Sequence, residues 1–495
     1  MSYRQLTDHY RRIAHIQHVA AVTAWDEAVN MPPGGEAARG QAMATVAVLL
    51  HELQTDARLE GWLQSADQEA LGTWERANLV QIRRALRRAT AVAPDLVQAL
   101  SLATSRCEQA WRKLRPTNDW ETFAPLLDEV IARTREVAQA LGERLGVDPY
   151  DALVDEHEPG MTAAKIDPIF AELASFLPDY IQRGCERQTG VDVLPLQGPF
   201  SPAAQRDLGL QLMRACGFDF NHGRLDRSHH PFCGGTPTDV RITTRYDETD
   251  FLPALMGVLH ETGHAKYEQG LPRGWLEQPV GHALGMAMHE SQSLLAEMQL
   301  CRSAAFWRFA GPLVRQAFGT SDALSDRNLA ALATRVAPGK IRVDADELTY
   351  PCHVILRYEI EKELIAGTLT VADIPERWDE AMRDSLGIDT RGDVRDGCMQ
   401  DVHWPAGAVG YFPTYTLGAL IAAQLAAAMN EAIPDIDERL AQGDFAPMDA
   451  WLRQNVWSRG RVVSAQTALE QATGSELSVE PFRAHLARRY LHDGE

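Results

Sequence analysis

The sequence predicts a mainly α-helical protein. Long segments rich in Ala, Leu, Glu and Arg carry apolar residues at helical spacing, strand-like segments are few, and Gly and Pro are spread through the chain without forming a linker. Length alone allows two to four domains, but 495 residues with 45% hydrophobic content can also bury one large core. We therefore expect residues 1–495 to form a single domain with a large helical body. This body could also be described as two helical lobes that face each other.

The helices are predicted segment by segment from their apolar periodicity. They cover residues 36–55, 120–145, 165–186, 352–366 and 415–432. The apolar stripes of 36–55 and 120–145 fit either interior packing or a dimer surface.

One strand and one further helix follow each other near the middle of the chain. Residues 238–246 have the clearest strand composition, since Val, Ile, Thr and Tyr dominate there. No proline interrupts residues 254–270, which predicts a helix directly beyond this strand. The sequence thus predicts a small β element beside that helix.

Charge and cysteine content restrict the partners and the compartment. The formal charge of −20 argues against nucleic acid or an anionic membrane as a partner, because both need clustered Lys and Arg. Seven cysteines form no Cys-x-x-Cys pair and are odd in number, which is typical of free thiols in a reducing compartment. The first residues are polar, and nowhere do 18 apolar residues run together. We therefore expect a cytoplasmic protein.

The helix at 254–270 carries the strongest chemical signal, His260-Glu261-Thr262-Gly263-His264. Positions i and i+4 lie one turn apart on the same helix face, as two imidazoles that share a zinc ion require. Glu261 would flank that ion and take a proton from water activated by it. The alternative is a core helix whose two histidines are satisfied by hydrogen bonds, but its apolar flanks favour a metal, because buried imidazoles without partners are costly.

A catalytic zinc needs a third protein ligand, which a second helix at 286–300 offers. Tyr267 and Gly270 stand where a metzincin would have glycine and histidine, so that subclass is excluded. Glu290 and Glu297 are seven residues apart and share one helix face. Glu290 is predicted as the ligand, because the 26 residues after His264 leave room for a loop and a returning helix. Glu297 is interpreted as a supporting or solvated carboxylate. Cobalt or manganese could use the same ligands as zinc.

Six short blocks occur in order between residues 230 and 404. They are 230–232 (His-Pro-Phe), 239–243 (Asp-Val-Arg-Ile-Thr), 260–264 (His-Glu-Thr-Gly-His), 289–292 (His-Glu-Ser-Gln), 341–346 (Ile-Arg-Val-Asp-Ala-Asp) and 397–404 (Gly-Cys-Met-Gln-Asp-Val-His-Trp). Together they resemble the thermostable-type, Taq-like M32 metallocarboxypeptidases, zinc peptidases that remove single C-terminal residues. The resemblance implies a gluzincin-like helical body with a long substrate groove, one zinc ion per chain and Glu290 as third ligand.

The resemblance also implies residues that stabilise negative charge on the scissile carbonyl oxygen. Donors fixed at that oxygen lower the barrier more than donors that only bind substrate. His403 is implied, together with Tyr411 or Tyr415. The alternative for either tyrosine is an aromatic packed at a helix junction with its hydroxyl satisfied.

An enzyme that cuts only at chain ends must hold the terminal carboxylate, and a guanidinium does so with two parallel hydrogen bonds. Arg342 is predicted for this role. Arg241 is a second candidate substrate contact, although a salt bridge with Asp239 is the favoured interpretation. The strand that carries Arg241 is expected to edge the cleft and pair with an extended peptide. His230, before a proline, would line the cleft or cap a turn.

The leading hypothesis is a zinc carboxypeptidase that acts on peptides with a free C-terminus, and the resemblance implies a homodimer. A helical zinc endopeptidase or dipeptidyl carboxypeptidase is the nearest alternative, since it would share the metal site without the terminal cation. A non-catalytic, metal-containing peptide-binding protein is a second alternative.

Overall fold

The structure is a computed structural model that describes residues 2–229 and 231–491. This part of the chain forms twenty α-helices, short 3-10 and π segments, and one three-stranded sheet. The helices are α1 (Ser2–Val29), α2 (Glu36–Gln54), α3 (Arg58–Ala66), α4 (Thr73–Ala89), α5 (Pro94–Leu114), α6 (Trp120–Leu145), α7 (Pro149–His157), α8 (Ala163–Gln188), α9 (Pro202–Ala215), α10 (Leu252–Gly270), α11 (Met286–Leu294), α12 (Ala304–Phe318), α13 (Asp326–Ala333), α14 (Tyr350–Ala366), α15 (Ile374–Leu386), α16 (Pro413–Ala432), α17 (Ile436–Gln442), α18 (Ala446–Asn455), α19 (Ala465–Thr473) and α20 (Glu480–Leu486). The strands are β1 (Gly223–Arg227), β2 (Phe232–Thr236) and β3 (Asp239–Thr244).

The prediction of a mainly α fold with a small β element beside the histidine helix is confirmed. The five helices predicted from periodicity correspond to α2, α6, α8, α14 and α16, and each boundary agrees to within two residues. Local signals explain this agreement. In α6, for example, the side chain of Asp119 caps the helix by accepting the backbone N–H of Thr122.

Buried apolar side chains form three clusters. The largest extends from α5 to the C-terminal helices and packs around α11, α14 and α16. A second, smaller cluster joins α1, α3 and α4 near the N-terminus. A third lies between the sheet and α10, where Val240 and Ile242 of β3 meet Val258 and Ala265. The helix with the two histidines is therefore covered by the sheet on one side and by the main core on the other.

The apolar stripes of α2 and α6 were each predicted either to pack in the interior or to form a dimer surface, and the two helices differ in the structure. Eight residues of α6 are buried, so its stripe belongs to the core. No side chain of α2 is buried, and Val48 and Leu49 are 56% and 44% exposed. Leu50 and Leu53 pack half-buried against the N-terminal cluster, so only the side of α2 that carries Val48 and Leu49 is an apolar surface of the chain.

The sheet corrects one expectation. Its order is β1-β3-β2, with β1 parallel and β2 antiparallel to β3. The strand predicted to edge the cleft, β3, is thus the central strand, and its backbone groups are already paired on both sides. The strand with the strongest β composition takes the most buried position, whereas β1 and β2 contain glycine or charged residues and form the edges.

Two glycines allow the helices around the histidines to approach closely. A Cβ atom at Gly263 of α10 would lie 2.4 Å from the backbone oxygen of Gln292 in α11. A Cβ atom at Gly418 of α16 would lie 2.8 Å from the Cβ of Glu290. Larger side chains at these two positions would push α11 away from both neighbours, so the glycines fix the position of Glu290.

No single helix in the described ranges is long and apolar enough to cross a membrane. Only α16 and α17 taken together pass that test, and they are bent by 98° relative to each other.

Candidate metal centre and active site

Three predicted metal ligands come together in the structure. His260 and His264 lie one turn apart on α10, Glu290 projects from α11, and their ligand atoms all lie within 4.8 Å of one another. Nε2 of His264 is 3.3 Å from Oε2 of Glu290, and Nε2 of His260 is 3.9 Å from Oε1 of the same carboxylate. Ligand atoms at tetrahedral zinc are about 3.3 Å apart, as bond lengths near 2.0–2.1 Å dictate. The donor types and their spacing therefore fit a small divalent cation.

A carboxylate orients the first of the two imidazoles. Oε2 of Glu297 lies 2.9 Å from Nδ1 of His260, so Nε2 is left to face Glu290. Glu297 also accepts a hydrogen bond from Arg302 at 2.6 Å. It lies in a π-helical turn, Leu295–Cys301, which continues α11, and such turns are frequent at functional sites. The interpretation of Glu297 as a supporting carboxylate agrees with this contact.

The second imidazole is oriented by a pair of residues that the sequence reasoning missed. Nδ1 of His264 lies 2.7 Å from Nδ1 and 3.1 Å from the backbone oxygen of His289. Nε2 of His289 in turn lies 2.7 Å from Oε1 of Glu268. The sequence did contain a signal for this pair, because Glu268 is four residues after His264 and so lies on the same face of α10.

Glu261 lies beside this cluster and is only 8% exposed. Its carboxyl makes no hydrogen bond to any residue that the structure describes. Burial raises the pKa of Glu261 to about 7; the charge of His260 opposes this rise and that of Glu290 adds to it. Burial raises the pKa of Cys233 in the edge strand β2, and the charge of Glu261 raises it further. This strand therefore lies near the Glu261 carboxyl.

His403, Tyr411 and Tyr415 form one aromatic group, with ring centres 5.2–5.9 Å apart. Nε2 of His403 is 3.1 Å from the hydroxyl of Tyr415, whereas the hydroxyl of Tyr411 has no hydrogen-bond partner in the described ranges. Burial raises the pKa of both tyrosines, and the charge of Glu290 contributes in each case. Both hydroxyls thus stay protonated at neutral pH and lie within electrostatic reach of the ligand carboxylate. Burial also lowers the pKa of His403 to about 4, so its ring is neutral.

One buried carboxylate holds the loop that carries these donors. Glu361 of α14 accepts hydrogen bonds from the Trp404 side chain, the backbone N–H of Gly410 and the Tyr150 hydroxyl, at 2.9–3.0 Å. Because Trp404 follows His403 and Gly410 precedes Tyr411, Glu361 fixes both ends of the segment between the two donors.

Arg342 lies against the same aromatic group and is 5% exposed. Its Nε and Nη2 donate to Oδ1 of Asp401 at 3.1 and 2.8 Å, and Nη1 donates to the Tyr350 hydroxyl at 3.0 Å. The guanidinium lies 4.9 Å from the ring centre of Tyr415. Three of its five N–H groups are thus engaged, and the other two have no hydrogen-bond partner among the residues described.

The structure brings Arg342 to the cluster but gives Arg241 a different setting. Arg241 forms a two-point salt bridge with Asp239, at 3.0 and 2.7 Å, and stacks 4.3 Å from the ring of Trp25 in α1. This is the salt bridge favoured from the sequence. His230 lies outside the described residues.

A mainly helical protein in which two histidines and a glutamate converge beside a further buried glutamate has the architecture of a metallopeptidase. The family model for the carboxypeptidase Taq (M32) metallopeptidases matches residues 5–490. The chain belongs to this family and is a metallocarboxypeptidase.

Individual relatives agree with this assignment. The chain is 38% identical to thermostable carboxypeptidase 1 of Thermus thermophilus, over 99% of this chain and 98% of that protein. Its structure is similar to that of Trypanosoma cruzi metallocarboxypeptidase 1, with a TM-score of 0.97 and 40% identity over 99% of both chains. It is also similar to an M32 carboxypeptidase from Deinococcus radiodurans R1, with a TM-score of 0.93 and 33% identity over 99% of both chains.

Proposed function

We propose that this metallocarboxypeptidase uses one zinc ion to release single residues from the C-terminus of peptides. The observation that carries the proposal is the convergence of His260, His264 and Glu290 within 4.8 Å, with Glu261 beside them. Both imidazoles are oriented from behind by hydrogen bonds, as is usual for metal ligands. A divalent cation held there supplies Lewis-acid polarisation of the scissile carbonyl and lowers the pKa of water.

The residues around the cluster supply the proton transfers and the charge stabilisation. Glu261 takes the proton of the attacking water and returns it to the leaving amine. His403 and Tyr411 donate hydrogen bonds to the carbonyl oxygen as negative charge develops on it. Tyr411 is the better candidate of the two tyrosines, because its hydroxyl has no hydrogen-bond partner among the described residues, whereas the Tyr415 hydroxyl already lies 3.1 Å from Nε2 of His403.

The two free N–H groups of Arg342 receive the terminal carboxylate of the substrate. Asp401 holds the guanidinium flat against Tyr415, so the cation reaches the substrate already oriented. This contact separates an exopeptidase from the alternative of a helical endopeptidase, which needs no cation beyond the scissile bond.

Amidation of the substrate C-terminus tests this assignment. For a blocked tripeptide, we expect kcat/KM to fall by about 10²-fold or more when the free acid is replaced by the amide, because a charge-assisted, two-point contact is lost. Release of the terminal residue is measured by mass spectrometry for the two peptides of identical sequence. Equal cleavage of both peptides would show an endopeptidase or a dipeptidyl carboxypeptidase instead.

We further propose that the protein works in the cytoplasm on small peptides, with no nucleic acid or membrane as a partner. All seven cysteines are free thiols, which supports a reducing compartment. The net charge of −20 supports the absence of polyanionic partners.

We also propose a homodimer that uses the exposed apolar face of α2. Val48 and Leu49 lie on this face, where the chain itself leaves them uncovered. Replacing Val48 by aspartate is expected to convert a dimer into a monomer in light scattering during size-exclusion chromatography. Ala47→Asp, at an exposed position on a different face of the same helix, is the control. A wild-type protein that runs as a monomer at micromolar concentration would contradict the dimer.

A further inference from the structure

A cavity of about 460 Å³ lies away from the predicted site residues, none of which lines it. It is bounded by α1, by α4 and by residues 277–282, and Arg461 closes one side. Its lining is unusually rich in cations for a protein of net charge −20, since Arg84, Arg88 and Arg461 all reach it.

Most charged side chains around the cavity are paired. Arg84 and Arg88 both form ion pairs with Asp155, each at 2.9 Å, and Arg88 also pairs with Glu156. The remaining carboxylate in the lining, Glu277, is held by Arg11 at 2.9 Å and by His15 at 3.1 Å. These groups therefore offer little free charge to a ligand.

Arg461 differs from the other two arginines, because no carboxylate is hydrogen-bonded to it. Its Nε donates to the backbone oxygen of Ala283 at 2.6 Å, and its two terminal nitrogens have no hydrogen-bond partner within the described ranges. Burial lowers the pKa of Arg461 below its ordinary range, and the charge of Arg84 lowers it further. Glu158 and Glu268 act on it only through space. The guanidinium of Arg461 thus lines the cavity without a directly bonded counter-charge among the described residues.

Two further polar side chains in the lining also have no partner. Tyr10 is 5% exposed, and its buried hydroxyl makes no hydrogen bond with the residues described. The imidazole of His282 likewise makes no side-chain hydrogen bond in this part of the chain. Burial lowers the pKa of His282 to about 4, and the nearby charge of Arg461 contributes, so the ring is neutral. The imidazole of His282 is only partly buried and can therefore meet a ligand in the cavity, whereas the Tyr10 hydroxyl is enclosed by protein and lies out of reach of a ligand there.

We propose that this cavity binds an oxyanion, a carboxylate or a phosphate group, between Arg461 and His282. The guanidinium offers two parallel N–H groups in the geometry that both anions accept, and the neutral ring offers one N–H. Both side chains are donors to an anion, whereas a cation or an apolar ligand would leave the Arg461 charge without a direct partner. The anion is either free in solution or the acidic side chain of a peptide.

Binding of inorganic phosphate to the full-length, zinc-loaded protein tests the first source. Isothermal titration is expected to give one saturable site in the wild type and a Kd at least about 10-fold higher in Arg461→Gln, because a charge-assisted contact is lost. His282→Phe removes the ring N–H but keeps an aromatic side chain, and it is expected to raise the Kd about 3- to 10-fold. Arg12→Gln makes the same charge change at an exposed position of α1 and is expected to bind like the wild type.

Hydrolysis of two otherwise identical peptides, with Glu or Gln upstream of the scissile bond, tests the second source. A preference for Glu that is at least about 10-fold in the wild type and in Arg12→Gln, and absent in Arg461→Gln, assigns the cavity to substrate carboxylates.

The two measurements together decide the proposal. Phosphate binding that depends on Arg461 assigns the cavity to a free anion, whatever the peptide preference. The proposal is overturned if the wild type shows neither saturable phosphate binding nor a preference for Glu. It is also overturned if Arg461→Gln and His282→Phe both match the wild type. The phosphate titration needs no turnover, so its failure is distinguishable from a failure of the proposed peptidase function.

Discussion

Replacing Glu261 by glutamine is expected to lower kcat/KM for a free-acid peptide by about 10³-fold and to leave one zinc ion per chain. General acid–base groups contribute roughly 10²- to 10⁴-fold, and glutamine cannot accept the proton of water. The change is close to isosteric, and the Glu261 carboxyl has no hydrogen-bond partner among the described residues that an amide would disturb. Steady-state kinetics combined with metal analysis by mass spectrometry measures both quantities on the same sample.

The matched control for this variant is Glu297→Gln, at a carboxylate that touches a metal ligand rather than the reacting atoms. Because Glu297 orients His260 at 2.9 Å, its loss is expected to weaken zinc binding about 10- to 100-fold. Excess zinc should therefore restore the activity of Glu297→Gln but not that of Glu261→Gln. A Glu261→Gln enzyme that keeps more than a tenth of wild-type turnover would mean that another group accepts the proton. A wild-type protein that binds zinc but shows no turnover would instead support the alternative of a non-catalytic peptide-binding protein.

The parts of the site that follow from local chain geometry could be predicted from the sequence. The spacing of His260 and His264 fixes their common helix face, and the distance to Glu290 fits a helix, a loop and a returning helix. The helices themselves follow from apolar periodicity and from caps such as Asp119. These features depend on residues close to one another in the chain, so they need no knowledge of the tertiary contacts.

The parts that depend on contacts between distant segments could not be predicted. Gly263 stands inside the histidine motif, but only the contact with α11 shows that any side chain there would displace Glu290. The pairing of Arg342 with Asp401 joins residues 59 positions apart. The place of β3 in the sheet depends on β1 and β2, whose glycine and charged residues hide them from pattern analysis.

Replacing Asp401 by asparagine is expected to lower the free energy of unfolding by about 3–5 kcal/mol, as is usual when one partner of a buried ion pair is removed. Asp401 accepts hydrogen bonds from two buried guanidiniums, Arg342 at 2.8 Å and Arg357 at 2.8 Å, and Arg357 is fully buried. Asparagine keeps the shape but removes the charge between two cations. Burial alone would raise the pKa of Asp401, but Arg357 and Arg342 outweigh it and hold the pKa far below its usual range. The contribution of Asp401 to the free energy of unfolding is therefore complete above about pH 4, and it decreases as the pH falls further.

Urea unfolding at neutral pH measures this loss as a lower midpoint with an unchanged slope. Asp389→Asn, at an exposed carboxylate paired with the exposed Arg391, is the control and is expected to leave the midpoint nearly unchanged. Loss of Asp401 also frees Arg342 to rotate, so KM for a free-acid peptide should rise while cleavage of the corresponding amide stays at its low level. Equal unfolding midpoints for the two variants would show that Arg342 and Arg357 find another counter-charge. An unchanged KM would show that Asp401 is not what orients the cation for the substrate carboxylate.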